Sequence, residues 1–134
     1  MRVSVLTILM AFLLAAGIPF GVMAGPAPDT DNDTVPDAVD NCLTTANAPQ
    51  CDTDADGYGN LCDADVNADG VIDVADYPAI DNNIGDTAPF VVPGADINCD
   101  GTVDIADYPG IDNNIGGAPG PSGLWCAGVT TPCP

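Results

Sequence analysis

The chain of 134 residues carries a formal charge of −19, with one basic side chain, Arg2, against twenty acidic ones and no histidine. Every acid is Asp and none is Glu; a solvated acidic surface has no reason to refuse Glu, whereas a tight turn that folds a short carboxylate back onto a bound cation does. Nucleic acid and anionic membranes are excluded as partners, since no Lys or Arg could replace phosphate counterions, and the lack of His and Lys removes the usual base and nucleophile pairs of an enzyme.

Residues 1–24 have the pattern of a secretory signal peptide: Arg2, an apolar run from Val3 to Ala16, then GIPFGVMA closing on the small residues Ala24 and Gly25. Gly17 and Pro19 interrupt the run before it reaches the about 18 apolar residues that a membrane span needs, so cleavage after Ala24 is expected and no membrane association after it. All six cysteines, at positions 42, 51, 62, 99, 126 and 133, lie beyond the cut. An even number in a small exported chain suggests disulfides. A chain this short buries only a modest core and needs covalent or ionic staples.

Four twelve-residue segments follow with the coordination spacing of an EF-hand loop, in which positions 1, 3 and 5 give side-chain oxygens, a Gly at 6 makes the turn, 7 gives its carbonyl, and 9 and 12 complete the shell. In DTDNDTVPDAVD these are Asp29, Asp31, Asp33, Val35, Asp37 and Asp40, with Thr34 where Gly belongs. In DTDADGYGNLCD they are Asp52, Asp54, Asp56, Tyr58, Asn60 and Asp63. DVNADGVIDVAD supplies Asp65, Asn67, Asp69, Val71, Asp73 and Asp76, and DINCDGTVDIAD supplies Asp96, Asn98, Asp100, Thr102, Asp104 and Asp107. The last two loops open a duplicated stretch, 65–85 and 96–116. Oxygen-only donors at this spacing point to Ca²⁺, three to four ions in all, and leave only Asp81, Asp86 and Asp112 outside the loops. Mutual repulsion within each loop should couple folding to metal binding.

Each duplicated loop runs into DYPxIDNNIG, which predicts a helix of barely two turns with Pro78 or Pro109 in the first turn and Gly85 or Gly116 as terminator. Ile80 and Ile84, and likewise Ile111 and Ile115, lie four apart and share a face with Tyr77 or Tyr108. These stripes are expected to form the mutual core of the two units. Between them DTAPFVVPGA is a linker whose Phe90, Val91 and Val92 would cover the edge of the loop pair. In the tail, Trp125 is expected as satellite core; Cys126 could close locally on Cys133, or the tail could be tied to Cys99 or Cys51.

The fold class that results is a small calcium- and disulfide-stabilised domain of mostly irregular loops with short α-helices, the last two loops forming paired EF-hand-like loop-helix units. Its parts are a signal peptide (1–24), a first loop region (25–64), the loop-helix pair (65–116) and a cysteine-containing tail (117–134).

Residues 29–65, with DTDNDTVPDAVDNC and DTDADGYGNLCD, resemble thrombospondin type 3 repeats, in which calcium and disulfides organise a chain of little regular structure. That resemblance implies a Cys42–Cys62 bond. Residues 65–116, with their duplicated DxNxDGxxDxxD loops and following helices, resemble a type I dockerin. This second resemblance implies a bacterial secreted protein, periplasmic, surface-bound or released, with a cohesin-like or other secreted or surface protein as partner. The expectation is a non-catalytic module for calcium-dependent protein–protein interaction or surface attachment, with no small-molecule substrate; the alternative is a calcium-stiffened spacer without a docking partner.

Overall fold

Asp, Gly and Pro are so dense in this chain that regular structure is confined to short pieces, each placed where the local sequence permits it. The computed structural model describes residues 25–129 with 132 and 133; the signal-peptide reading of 1–24 lies outside the described residues. Among these residues there is a 3₁₀ turn at Asp37–Val39, helix α1 at Tyr77–Asp81 and helix α2 at Tyr108–Asn114. No sheet forms among them; Thr87 and Thr102 make an isolated antiparallel bridge. No helix of the described residues is long and apolar enough to cross a membrane.

Both helices start with Pro in the first turn, where its missing N–H costs nothing. The DNN motif ends them: Asn83 Nδ2 donates to the Ala79 carbonyl, and Asn114 Nδ2 to the Gly110 carbonyl, each at 2.7 Å. Gly85 and Gly116 then take φ 91° and 85°, which reverses the chain. From there each glycine N–H reaches the other copy. Gly85 donates to the Val103 carbonyl and Gly116 to the Ile72 carbonyl, both at 2.8 Å, and Val103 and Ile72 donate back to Asp86 and Gly117 at 2.9 and 3.0 Å. Position 8 of each loop is thus clasped by the segment after the opposite helix, a reciprocal exchange that makes the copies interdependent.

The core lies inside this exchange. Ile72, Ile80, Ile97, Val103 and Ile111 are buried with Ala64 and Ala95, flanked by Val66, Tyr77, Phe90, Val92 and Tyr108. Tyr77 and Tyr108 pack with ring centroids 5.9 Å apart. The expected stripe is half right: Ile80 and Ile111 are in the core, but Ile84 is 54% and Ile115 51% exposed. The helical spacing that would align them stops at Asp81 and Asn114, so the core is completed by the position-8 residues Ile72 and Val103. Phe90 and Val92 of the linker cover the core as expected, whereas Val91 faces solvent.

The two copies differ by a compensating pair. The second has Ile97 and Gly110 where the first has Val66 and Ala79. A Cβ at Gly110 would overlap the Ile97 side chain, so the methylene gained at position 2 of the loop is accommodated by the methyl lost on the helix.

Three disulfides tie the chain: Cys42–Cys62, Cys51–Cys99 and Cys126–Cys133. The first agrees with the thrombospondin-type pairing, and the third is the local closure of the tail. Residues 120–129 and Cys133 lie across the first two loops, with Gly120 N–H on the Cys62 carbonyl (3.0 Å), Gly123 on Asp40 (2.8 Å), Gly128 on Asp56 (3.0 Å) and Cys133 on Ala55 (2.7 Å). Trp125 does not join a satellite core. It is 80% exposed, because the strap is held by backbone hydrogen bonds and by Tyr58, which packs against Gly120 and Gly128.

Candidate metal centre

All four loops are built from the same three side-chain turns. The position-1 carboxylate accepts the position-6 N–H: Asp29 from Thr34 (3.1 Å), Asp52 from Gly57 (3.0 Å), Asp65 from Gly70 (2.7 Å) and Asp96 from Gly101 (3.0 Å). Position 3 accepts from position 5, with Asp31, Asp54, Asn67 and Asn98 receiving the N–H of Asp33, Asp56, Asp69 and Asp100 at 3.2, 3.3, 2.8 and 2.8 Å. Position 5 accepts from position 7, with Asp33, Asp56, Asp69 and Asp100 receiving the N–H of Val35, Tyr58, Val71 and Thr102 at 2.8, 2.8, 3.1 and 3.0 Å. These bonds are local, which is why four unlike settings give one loop shape.

The backbone obeys the same rule. Position 4 is left-handed in every loop, at Asn32, Ala55, Ala68 and Cys99, with φ between 57° and 63°. Position 6 follows at φ 95°, 91° and 96° in Gly57, Gly70 and Gly101. Thr34 takes φ 82° at the same place, so the first loop closes despite a β-branched residue for which this conformation is strained.

The donor set fits a hard cation. One carboxylate oxygen from each of Asp29, Asp31 and Asp33 lies within 4.8 Å of the others, and the same holds for Asp52, Asp54 and Asp56. In the first loop Asp29 Oδ1, Asp31 Oδ2 and Asp40 Oδ2 are buried without a hydrogen-bond partner. Buried carboxylate oxygens are costly unless something neutralises them, and a calcium ion does so directly. Among the described residues the position-7 carbonyls of Val35, Tyr58, Val71 and Thr102 accept no hydrogen bond, leaving their lone pairs available.

Positions 9 and 12 divide the loops into two kinds. In the first loop both oxygens of Asp37 turn back to Thr30, accepting its N–H at 2.7 Å and its hydroxyl at 2.9 Å. In the second, Asn60 makes the equivalent pair with Thr53 at 2.9 and 2.8 Å. In the duplicated loops Asp73 and Asp104 instead accept the N–H of Ala75 and Ala106 at 2.7 Å, bending the chain into α1 and α2. Asp76 and Asp107 are fully buried and lock their loops, each accepting the position-3 N–H at 3.0 Å and the position-9 N–H at 2.8 Å. Asp63 accepts the Asp65 N–H at 3.1 Å, and Asp40 accepts both the Cys42 N–H and Gln50 Nε2 at 2.9 Å.

Burial beneath the tail strap raises the carboxyls of the second loop. Asp63 is pushed up to about 7 by desolvation and then by the charge of Asp56, and Asp54 to about 6 by desolvation and Asp56. Protons therefore compete with a cation at this loop. The Asp residues left outside the loops also have partners. Tyr77 donates its hydroxyl to Asp112 and Tyr108 donates to Asp81, another reciprocal contact between the copies, and these bonds raise both tyrosines above their ordinary value. Asp86 holds the linker through the N–H groups of Thr87 and Val91 at 3.0 and 2.7 Å.

The supporting residues Thr30, Thr53, Asn41, Asn47 and Gln50 escaped the sequence reading. The DT pair that opens both early loops was a signal for the threonines. Asn47 and Gln50 join only by folding back, with Asn47 Nδ2 on Asn41 Oδ1 at 2.6 Å and Gln50 Nε2 on Asn47 Oδ1 at 2.9 Å.

Comparison with known proteins agrees with the first half of this picture. Residues 28–50 and 51–84 match the thrombospondin type 3 repeat family, a calcium-binding repeat. Mouse thrombospondin-3 is 42% identical over 59 residues, covering 35% of this chain and 6% of its own length. Human cartilage oligomeric matrix protein is 50% identical over 61 residues (38% and 8%), and the mouse protein of that name 52% over 65 (41% and 9%). The chain thus spans less than a tenth of these relatives. No solved structure matches it. Residues 28–84 therefore carry thrombospondin type 3 repeats, and these repeats with the three disulfides suggest an extracellular protein. The family match runs past the expected boundary at 64 into the first duplicated unit, and nothing found supports the dockerin resemblance of 65–116.

Proposed function

We propose that this is a secreted, non-catalytic calcium-binding protein whose four loops take up three to four ions, through the position 1, 3, 5, 7 and 12 residues of each, and that the ions hold an otherwise core-poor chain in shape. The observation that carries this reading is the recurrence of one loop geometry at 29–40, 52–63, 65–76 and 96–107, with position-7 carbonyls left free in all four and carboxylates converging in the first two. Burial of Ile80 and Ile111 between the copies favours a structural role, a stiff extracellular spacer, as the type 3 repeats of matrix-named relatives also suggest. Isothermal titration of the chain from residue 25 onward should count three to four calcium ions; a count of zero or one would refute the reading.

A second reading keeps the docking role. Ile84, Ile115, Val74 and Ile105 form symmetry-related exposed apolar pairs on the duplicated unit, which would suit a cohesin-like or other surface protein bound in calcium. That partner, and a bacterial source, rest on the dockerin resemblance alone. Calcium-dependent capture by a purified cohesin, lost in Ile84→Asp with Ile115→Asp, is the result expected of this second reading.

A further inference from the structure

Loop 65–76 lies between loops 52–63 and 96–107 in the sequence, yet the outer two meet in space at three points. Cys51, which precedes position 1 of the second loop, is bonded to Cys99, position 4 of the fourth. Asn60 Nδ2, in a nearly fully buried side chain, donates to the Asp96 carbonyl at 2.8 Å. The Thr53 hydroxyl accepts both the Gly94 N–H at 2.7 Å and Asn60 Nδ2 at 2.8 Å. By contrast, the hydrogen bond between the second loop and its sequence neighbour is the Asp65 N–H on Asp63.

These links fall on the parts of each loop that close around an ion. Asn60 fixes the second loop through Thr53 and, with the same amide, holds the backbone of Asp96, whose carboxylate opens the fourth loop. Cys99 sits between Asn98 and Asp100, candidate donors at positions 3 and 5, in the left-handed conformation the loop requires. Ordering one loop therefore removes part of the conformational entropy that the other must lose, and a site pre-ordered in this way binds more tightly.

We infer that loops 52–63 and 96–107 take up calcium as one coupled pair, joined by Cys51–Cys99 and by Asn60, an inference that rests on the calcium reading of the loops. This coupling runs across the fold, between loops that another loop separates.

The amide signals of Gly57, Gly70 and Gly101 each report one loop, so a calcium titration followed by two-dimensional NMR reads the three affinities separately. In an Asp54→Ala chain, affinity at Gly101 should fall by about fivefold or more, and by more than at Gly70. With Cys51→Ser and Cys99→Ser added, that drop at Gly101 should shrink. Thr53→Val, which removes no candidate donor, should show the same order on a smaller scale and serves if Asp54→Ala unfolds. An unchanged Gly101, or a larger loss at Gly70, would overturn the coupling. If no glycine amide of the unmutated chain moves with calcium, the calcium reading fails and the coupling with it.

Discussion

The first two loops and the duplicated pair present the same loop geometry on different supports. At 29–40 and 52–63 position 9 is latched to a threonine at position 2, the Cys42–Cys62 bond lies behind the loops, and the tail crosses over them. At 65–76 and 96–107 position 9 bends the chain into a helix, and an apolar core of Ile and Val is shared by exchange between the copies. The loop shape is thus a property of short-range side-chain turns, whereas the means of holding it is free to be covalent or hydrophobic. A chain with a small apolar core uses the first means at one end and the second at the other.

Cutting the apolar support should separate the halves most. Ile111 is fully buried between the copies, so Ile111→Ala should cost about 2–5 kcal/mol and broaden the Gly70 and Gly101 amides in calcium, with a smaller effect at Gly57 passed on through Cys51–Cys99 and Asn60. Equal loss at all three would mean that the halves fold as one unit.

A smaller effect sharpens the comparison inside the duplicated pair. Gly110→Ala forces a methyl onto Ile97 and should cost about 1–3 kcal/mol by overpacking. Ile97→Val, which recreates the residue at the equivalent place in the first copy, should recover most of it. Thermal melts of the single and double variants in calcium decide this, and additive losses would refute the compensation.

Acid should distinguish the supports as well. Asp63 and Asp54 are raised to about 7 and about 6 in the folded chain without metal. Their contribution to the stability of that chain is full below the ordinary carboxylate range and is lost as pH rises through those values. Calcium needs the ionised forms, so affinity at 52–63 should fall roughly tenfold or more between about pH 8 and pH 5. Loop 65–76 should weaken less, and loop 96–107, where desolvation also raises Asp96, by an intermediate amount. Parallel loss across the three loops in NMR titrations at the two pH values would contradict the burial argument.

The smallest change concerns Thr34. Its φ of 82° is one that glycine adopts without strain, so Thr34→Gly should stabilise the calcium-loaded first loop by up to about 1 kcal/mol, seen as a tighter first-loop affinity with the other loops unmoved.

Much of this site could be read from spacing, because each turn in the loop joins residues two or five positions apart and leaves a pattern such as DxDxDG. What lay beyond reach depends on distant backbone. The tail strap is made by carbonyls of Ala55, Asp56 and Cys62 and N–H groups that any residue supplies, so it has no sequence signature. Cys51–Cys99 joins loops that another loop separates. Ile84 and Ile115 misled because a four-residue spacing marks a shared face only while the helix lasts, and the Asn83 and Asn114 caps end it first. Asp81 and Asp112 found their roles through tyrosines on the opposite copy.

The central claim, that cations at these loops hold the chain in shape, is tested most directly by small-angle X-ray scattering of the chain from residue 25 onward with its disulfides intact, in calcium and in chelator. The account predicts a compact particle in calcium that expands when the ions are stripped, because some twenty carboxylates with no basic partner then repel one another, and that recloses when calcium is restored. An unchanged radius of gyration in chelator would contradict it.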